Sequence, residues 1–417
     1  MRRVARSLAL VFLGTTLAAG SRAATFDLFG FAALSGARVT SQPSWLDAGF
    51  GRLSVGAESS SATANRASAE ARLGARIELG PAWTIELHGL ARAEPQSQGD
   101  AFGLSEAFAT YTHGLGEASE LRLRGGLFFL PTTREATGPL WTTPYTLTLS
   151  ALNSWIGEEI RPTGVDAAIR IGEHAAFGAT AFGGNDTAGA LLAWRGWSMG
   201  NRLSTLGEHL PLPPLPSLSD PAAFGEQRRG GEYAITQPIG RDLDGRVGWA
   251  VRGRVEGGGA LAQASAYDNR GDRGLHDGEY AWRTRTQQLA LQWERGPLTL
   301  IAEGLQGKSG MGIETRPHVD IDLWAFYALA SFTHEAWRLS ARFDRFANHD
   351  RDHSAAENND EYGRAWTVAG FWSPRERYRF GVEWLALHAD RPAAAEAGFD
   401  SDTDAKQWKV EARIGFE

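Results

Sequence analysis

Blocks of about ten residues in which apolar and polar side chains alternate recur along this chain, and that period of two restricts what it can fold into. In the last block, Trp408, Val410, Ala412, Ile414 and Phe416 share one parity, while Gln407, Lys409, Glu411, Arg413 and Gly415 share the other. Side chains on a strand point alternately to opposite faces, so this segment carries one apolar and one wet side. Residues 68–79 repeat the pattern, with Ala69, Ala71, Leu73, Ala75, Ile77 and Leu79 opposing Ser68, Glu70, Arg72, Gly74, Arg76 and Glu78. Residues 83–91 follow after a Gly80-Pro81 turn. Sandwich strands alternate as well, so the period alone establishes an all-β chain and leaves its closure open.

Segment length and link length narrow the choice. Sixteen strands are predicted, at 25–38, 67–79, 83–93, 102–113, 120–130, 163–171, 175–183, 245–255, 259–268, 284–294, 297–306, 319–332, 336–347, 363–372, 376–389 and 407–417. About ten residues is what a tilted strand needs to cross a bilayer. The links near 80, 116, 173, 257, 296, 334 and 374 are short, and those near 50, 97, 145, 215, 276, 312, 354 and 397 are long. Short and long links therefore alternate, which suits a transmembrane antiparallel β-barrel of about sixteen strands with short turns and both termini on one side and long external loops on the other. A further strand at 189–199 would break that alternation. Residues 186–197 are accordingly assigned to an external loop holding a short helix capped by Asp186.

The N-terminus carries export features. Arg2, Arg3 and Arg6 precede a short apolar run at 8–18, and Ser21-Arg22-Ala23 is a small-x-small cleavage site. Residues 1–23 read as a secretory signal peptide and 24–417 as the mature barrel. No later stretch reaches the roughly 18 consecutive apolar residues of a membrane helix. The chain has no cysteine, so its stability outside the cytoplasm must come from packing or sheet closure rather than disulfides. Losing residues 1–23 removes four arginines and no acid, which moves the formal charge from −7 to −11 and argues against a nucleic-acid partner. Fifty glycines, 15 tryptophans and 20 phenylalanines at 42% hydrophobic content suit barrel strands with interfacial aromatic girdles.

The two parities assign two environments. Trp249, Val251, Trp293, Leu298, Leu300, Trp337, Leu339, Trp366, Trp372, Phe380, Val382 and Trp384 fall on the apolar parity and are expected to face lipid. The polar parity holds Glu70, Arg72, Arg76, Glu78, Glu86, Arg122, Arg124, Arg252, Arg254, Glu303, Arg338, Arg342, Asp344, Glu383, Lys409, Glu411 and Arg413. Charges at bilayer depth are tolerated where they line water or pair with one another. Sixteen strands enclose a ring too wide for side chains to fill, so these residues are expected to line an aqueous pore. Arginines facing carboxylates across it would set a transverse field that biases polar solutes. Taken singly, each could also be a solvated inward side chain or half of a wall-bracing ion pair.

Two long loops could narrow that pore. One spans 131–162. The other spans 184 to about 240 and contains the stiff stretch Pro211-Leu212-Pro213-Pro214-Leu215-Pro216. Loops much beyond a dozen residues call for a function or for disorder. Segment 184–240 is a candidate constriction or plug, which would shelter Leu191, Leu192, Trp194 and Trp197. An outer lid and packing against a neighbouring subunit are the alternatives.

Two resemblances add to this reading. The terminal strand resembles the closing strand of bacterial outer-membrane barrels, whose final Phe is read by the barrel-assembly machinery; here Glu417 follows Phe416. It implies the cell outer membrane of a Gram-negative bacterium, with outer-membrane lipid and lipopolysaccharide around the barrel. Second, Leu121-Arg122-Leu123-Arg124-Gly125-Gly126-Leu127-Phe128-Phe129-Leu130-Pro131 is followed about thirty residues later by Arg161-Pro162-Thr163-Gly164-Val165-Asp166. This is similar to the phosphate-selective porin O and P superfamily, which places a strand–Phe–x–Pro exit and an Arg–x–x–Gly–Val re-entry at similar spacing. Membership implies a sixteen-stranded porin, usually trimeric, that passes small polar solutes by diffusion and needs no cofactor. Phosphate selectivity does not carry over, because that family traps phosphate with lysines and this chain has three, Lys308, Lys406 and Lys409.

Other chemistry is weak. His349-Asp350-Arg351-Asp352-His353, near Glu357, Asp360 and Glu361, reads as a solvated acidic loop rather than a metal site. Asp400, Asp402 and Asp404 form a second acidic run that could meet divalent cations among surface lipopolysaccharides. The glycines of 245–253 lack the strand–loop–helix context of a phosphate loop. His88, His174 and His388 suggest no nucleophile–base–orienter set, so no enzyme is expected. The functional candidates are a passive porin for small polar or charged solutes, a substrate-specific channel or exporter for an anionic solute or oligosaccharide, and a rim-active outer-membrane hydrolase.

Overall fold

A computed structural model describes residues 24–93, 101–116, 118–214, 235–276, 278–312, 318–352 and 358–417. Sixteen antiparallel strands close into one barrel. They are β1 Thr25–Thr40, β2 Thr63–Leu79, β3 Trp83–Ala93, β4 Phe102–Gly114, β5 Ser119–Leu127, β6 Thr163–Ile171, β7 Ala175–Gly183, β8 Gly248–Gly257, β9 Ala260–Asp268, β10 Arg283–Arg295, β11 Leu298–Met311, β12 Val319–His334, β13 Trp337–Asp350, β14 Glu361–Arg375, β15 Tyr378–Asp390 and β16 Asp402–Phe416. Each pairs with its chain neighbours, and β1 closes on β16 from Gly30 opposite Phe416 to Thr40 opposite Lys406. All sixteen predicted segments form, and 189–199 is not a strand. The expected signal peptide, the end of the proline-rich stretch, His353 and Glu357 lie outside the described residues.

The wall is lowest where the chain diverts into its interior. β5, β6 and β7 have 9 residues each and β8 has 10, whereas β12 has 16 and β14 and β16 have 15. On the tall side two expectations are corrected. His349 and Asp350 end β13, and Asp402 and Asp404 begin β16, so neither set is wholly loop. The ladder continues there because charged outward side chains cost little beyond the apolar belt.

Burial is inverted relative to a water-soluble β protein. Outward Leu34, Leu339 and Val410 are 68%, 60% and 55% exposed, while Trp155, Trp194, Trp197 and Phe128 are sealed inside the barrel. A belt of exposed apolar side chains around a closed sheet is what lipid solvates. Where β13 starts and β14 ends, Trp337 stacks on Trp372 at 6.0 Å and Trp372 on Phe380 at 5.5 Å, an aromatic girdle at the short-turn rim. No helix among the described residues is long and apolar enough to cross a membrane.

Two loops fill much of the interior. The first, 128–162, contains α1, Ala151–Glu159, whose N-terminal Asn153 N–H is capped by the Ser150 hydroxyl. The second, described at 184–214 and 235–247, contains α2, Ala190–Arg195. Its cap is Gly189 at φ +97°, not Asp186 as the sequence suggested. A side chain at Gly189 would strike Ser309 and Thr284, so only glycine fits this positive-φ approach to the wall. The Asp186 carboxylate instead accepts the N–H groups of Leu243 and Asp244 at 2.5 and 3.3 Å.

Candidate functional site

The first loop crosses the lumen, and wall charges hold it at each side. Glu303 of β11 accepts from the Thr133 hydroxyl at 3.2 Å and from the Arg134 N–H. Glu135 pairs at 2.7 Å with Arg342 of β13, which also pairs with Asp344 at 2.8 Å. Arg342 donates further to the Thr146 hydroxyl, Thr148 O and Leu149 O at 3.0, 2.6 and 3.1 Å. Glu383 of β15 accepts the Leu147 and Thr148 N–H groups at 2.6 and 3.1 Å. On the opposite wall Arg72 of β2 donates to Leu140 O and Trp141 O at 2.9 and 3.1 Å. Residues 128–162 are thus strung between β2, β11, β13 and β15. Arg342 and Glu383 are wholly buried beneath the loop and meet no solvent. Desolvating such ions is costly, and only full pairing and hydrogen bonding offset it.

The second loop docks on the first. Glu159, at the end of α1, accepts from Leu191 N, Leu192 N and Trp155 Nε1 at 2.9, 3.2 and 2.6 Å, joining α1 to the start of α2. Burial pushes its carboxyl up to about 7, although Arg195 and these donors pull the other way. Glu158 pairs with Arg195 and accepts from the Ser198 hydroxyl. Arg161 donates to Gly157 O at 2.7 Å and to Ser204 O, and burial lowers its pKa to about 9. Trp197 Nε1 donates to Asn348 Oδ1 of β13 at 3.0 Å, and its backbone N–H to Glu361 of β14 at 3.0 Å. Across the lumen Arg92 reaches Leu203 O at 2.8 Å, Arg72 reaches Asn201 O at 2.8 Å, and Lys409 Nζ reaches Asn201 Oδ1 at 3.2 Å. Glu135, Glu158, Glu159 and Arg195 were not singled out in the sequence, since loop charges carry no period; Arg161 was noted only as the start of the re-entry motif.

The remaining predicted residues are all on the inward parity, and apart from Glu70 they lie at mid-height or nearer the short-turn rim. Arg76 lies 3.4 Å from Glu86, Glu78 accepts from the Thr25 hydroxyl at 3.2 Å, and Glu70 pairs with Arg72 at 2.9 Å. Arg252 forks onto Asp166 at 2.6 and 2.9 Å, and Arg254 pairs with Glu256 at 3.0 Å. Glu411 bridges Arg413 and Arg379 at 3.0 and 3.1 Å. Arg122, Arg124 and Arg338 have no carboxylate within ion-pair distance among the described residues. Aromatic faces support them and their neighbours: Arg124 sits 4.0 Å from the Phe128 ring centre, Arg413 3.9 Å from Phe31 and Arg338 5.2 Å from Tyr145. Arg122, Arg252, Arg254 and loop residue Pro131 border a recess of about 170 Å³.

The histidines do not converge. His88 is buried between Glu106 at 2.8 Å and Glu86 at 3.0 Å, His174 lies in a turn beside Glu256 O, and His388 faces outward near Asp402 and Asp404. Asp186, Asp242 and Asp244 each bring a carboxylate oxygen within 4.8 Å of the others, the one such grouping among the described residues able to hold a metal. Burial raises Asp186 to about 6, helped by Asp244 and Asp242.

No family model and no curated protein sequence matches the chain. Solved structures do. The outer membrane channel DcaP of Acinetobacter baumannii is similar at TM-score 0.55 and 10% identity, covering 94% of this chain and 97% of that one. OmpF of Salmonella typhi, solved in complex with daunomycin, gives 0.53 and 11% over 94% and 97%. An anion-selective porin from Comamonas acidovorans gives 0.51 and 10% over 94% and 100%. At these identities the likeness is one of fold: a porin-type barrel.

Proposed function

We propose that the protein is a passive porin of a Gram-negative outer membrane, passing small polar or charged solutes after residues 1–23 are removed. The observation that carries this is a closed barrel, apolar outside, with residues 128–162 strung from wall to wall inside it. A cylinder needs no such crossing to be stable; a crossing narrows whatever passes. The solute path is assigned to the β16–β1–β2 side, where Asn201 meets Arg72 and Lys409 and where Ser68, Glu70 and Lys409 keep partial solvent exposure. Of segment 184–240, the described residues 184–214 and 235–240 are assigned the role of a constriction supporting the first loop. The terminal strand presents Phe416 to the assembly machinery, and the outward face of β2, with Ala67, Ala69, Ala71 and Ala75, suits contact with other copies in a trimer. Purified protein in a planar bilayer gives stepwise conductance; folded protein that leaves the bilayer sealed at every voltage overturns the proposal.

A second reading, a channel specific for an anionic solute or oligosaccharide, is favoured by Arg122, Arg124 and Arg338. Current block by an anionic sugar at low concentration supports it, and indifference across sugars and anions dismisses it. The similarity to phosphate-selective porins stays within this second reading. It rests on the exit at Pro131 and the re-entry at Arg161, and Arg161 is occupied by loop carbonyls.

A further inference from the structure

The lipid-facing surface is divided. From β2 to β8 the outward parity of the described strands carries no Asp, Glu, Lys or Arg. Toward the long-loop rim of β10 to β14 it carries a basic ledge. Arg285 stands directly opposite Lys308, and Arg345 directly opposite Arg364. All four side chains are exposed. Like charges facing each other on paired strands repel, and a fold that keeps two such pairs on one face, with β12 between them, needs a counter-charge. The carboxylates that flank these cations are engaged elsewhere: Asp268 of β9, opposite Arg285, pairs with Arg283 at 3.0 Å, and Asp320 of β12 pairs with Arg273 at 2.8 Å. Asp322 pairs with Lys308 at 3.1 Å but is shared with Arg351 at 2.7 Å. Arg285, Arg345 and Arg364 have no carboxylate within ion-pair distance among the described residues.

The ledge also has a definite depth. The Arg345 guanidinium lies 5.8 Å from the Trp324 ring centre and 5.2 Å from that of Tyr362. Amphipathic rings of this kind settle at the headgroup level. Toward the other rim the same outward faces turn apolar at Leu289, Phe326 and Trp366, exposed by 52%, 40% and 54%. A groove of about 670 Å³ opens at the ledge between Arg285, Lys308, Trp249 and Trp324, with the engaged carboxylates Asp268 and Asp322 also in its lining. Cations above, aromatic rings between and grease below match an amphiphile whose anionic head lies in the outer leaflet.

We infer that this ledge is a binding site for the phosphorylated glycolipid of the outer leaflet, lipopolysaccharide, through the phosphates of its lipid A. The assignment of that occupant rests on the outer-membrane location proposed above. A phosphate monoester brings close to two negative charges and several acceptor oxygens, and a guanidinium fork fits them in pairs. Strands are spaced about 4.8 Å apart, so the two cation pairs stand at least about 14 Å apart and each takes its own phosphate. The acyl chains lie on the Leu289, Phe326 and Trp366 face.

The test compares wild-type protein in detergent with R285Q/K308Q, R345Q/R364Q and the quadruple variant. Native mass spectrometry measures retention of bisphosphorylated lipid A, of its dephosphorylated form and of phosphatidylglycerol, with inorganic phosphate as competitor. Each cation near an anionic surface is worth roughly fivefold in affinity, so each double variant loses about 25-fold and the quadruple variant several hundredfold. Planar-bilayer conductance and heat-shifted gel mobility stay at wild-type values, because these side chains lie outside the lumen. Equal retention of dephosphorylated lipid A, or unaltered binding by the quadruple variant, overturns the site. Phosphatidylglycerol binding as tightly as lipid A, or release of lipid A by micromolar inorganic phosphate, overturns the glycolipid as occupant. A protein that binds lipid A without conducting removes the pore and leaves the ledge; one that conducts but ignores lipid A does the reverse.

Discussion

Replacing Arg342 by Met isolates the clamp on the crossing loop. Arg342 is fully buried and so are its partners Glu135 and Asp344. Its guanidinium also donates to the Thr146 hydroxyl, Thr148 O, Leu149 O and the Thr367 hydroxyl at 3.0, 2.6, 3.1 and 3.3 Å. Methionine fills similar volume but leaves two carboxylates facing each other in a sealed space. Removing one partner of a buried ion pair costs about 3–5 kcal/mol. Only the bonds to Asp344 and Thr367 lie within the wall, and the backbone ladder makes none of them, so most of the cost falls on docking of residues 128–162. At about 1.4 kcal/mol per decade, the docked-to-undocked ratio of the loop falls roughly a hundredfold to several thousandfold. Single-channel recording then shows a larger, noisier open level, and protease cuts within 128–162 while gel mobility still reports a folded barrel. Arg342→Lys keeps the charge without the fork and is intermediate. Wild-type conductance, noise and protease resistance in Arg342→Met would refute the clamp.

The link between the two loops titrates. Glu159 is raised to about 7 from an ordinary 4.5, so its contribution to docking is complete below about pH 4.5 and is lost as pH rises through 7. Open-level noise therefore grows between pH 5 and pH 8 in the wild type, and Glu159→Gln flattens that dependence. On the wall, Arg122→Gln with Arg338→Gln removes two cations that no carboxylate among the described residues partners. In a salt gradient the reversal potential shifts toward cation preference, whereas an unchanged potential would mean that neither side chain meets the ion path.

Strands were legible where two solvents meet across one wall. In 68–79 every second residue answers to lipid and the others to the interior, so both spacing and direction are written in the residues. Legibility fades wherever only one solvent acts. At the tall rim, Arg285, His349 and Asp402 face outward as polar residues, so alternation stops while the ladder continues. Predicted strand 120–130 overran because Phe128, Phe129 and Leu130 continue the apolar run, yet the chain leaves the ladder after Leu127 and those rings turn into the lumen. The site was half legible. Arg72, Arg342 and Glu383 were found by parity. Their partners Glu135, Leu140 and Thr148 were not, because a loop is buried by contacts distant in sequence, not by period. Gly189 displaced Asp186 as helix cap for the same reason: the wall behind it leaves no room for a side chain.

The absence of cysteine from the chain allows the central claim, water inside the cylinder and lipid outside it, to be tested one residue at a time. Single cysteines at Arg122 and Arg413 on the inward parity, and at Val410 and Leu339 on the outward one, are exposed to a charged, membrane-impermeant thiol reagent during planar-bilayer recording. The account predicts a stepwise fall in current at 122 and 413 and none at 410 and 339. Reaction at 410 and 339, with silence at 122 and 413, would contradict it.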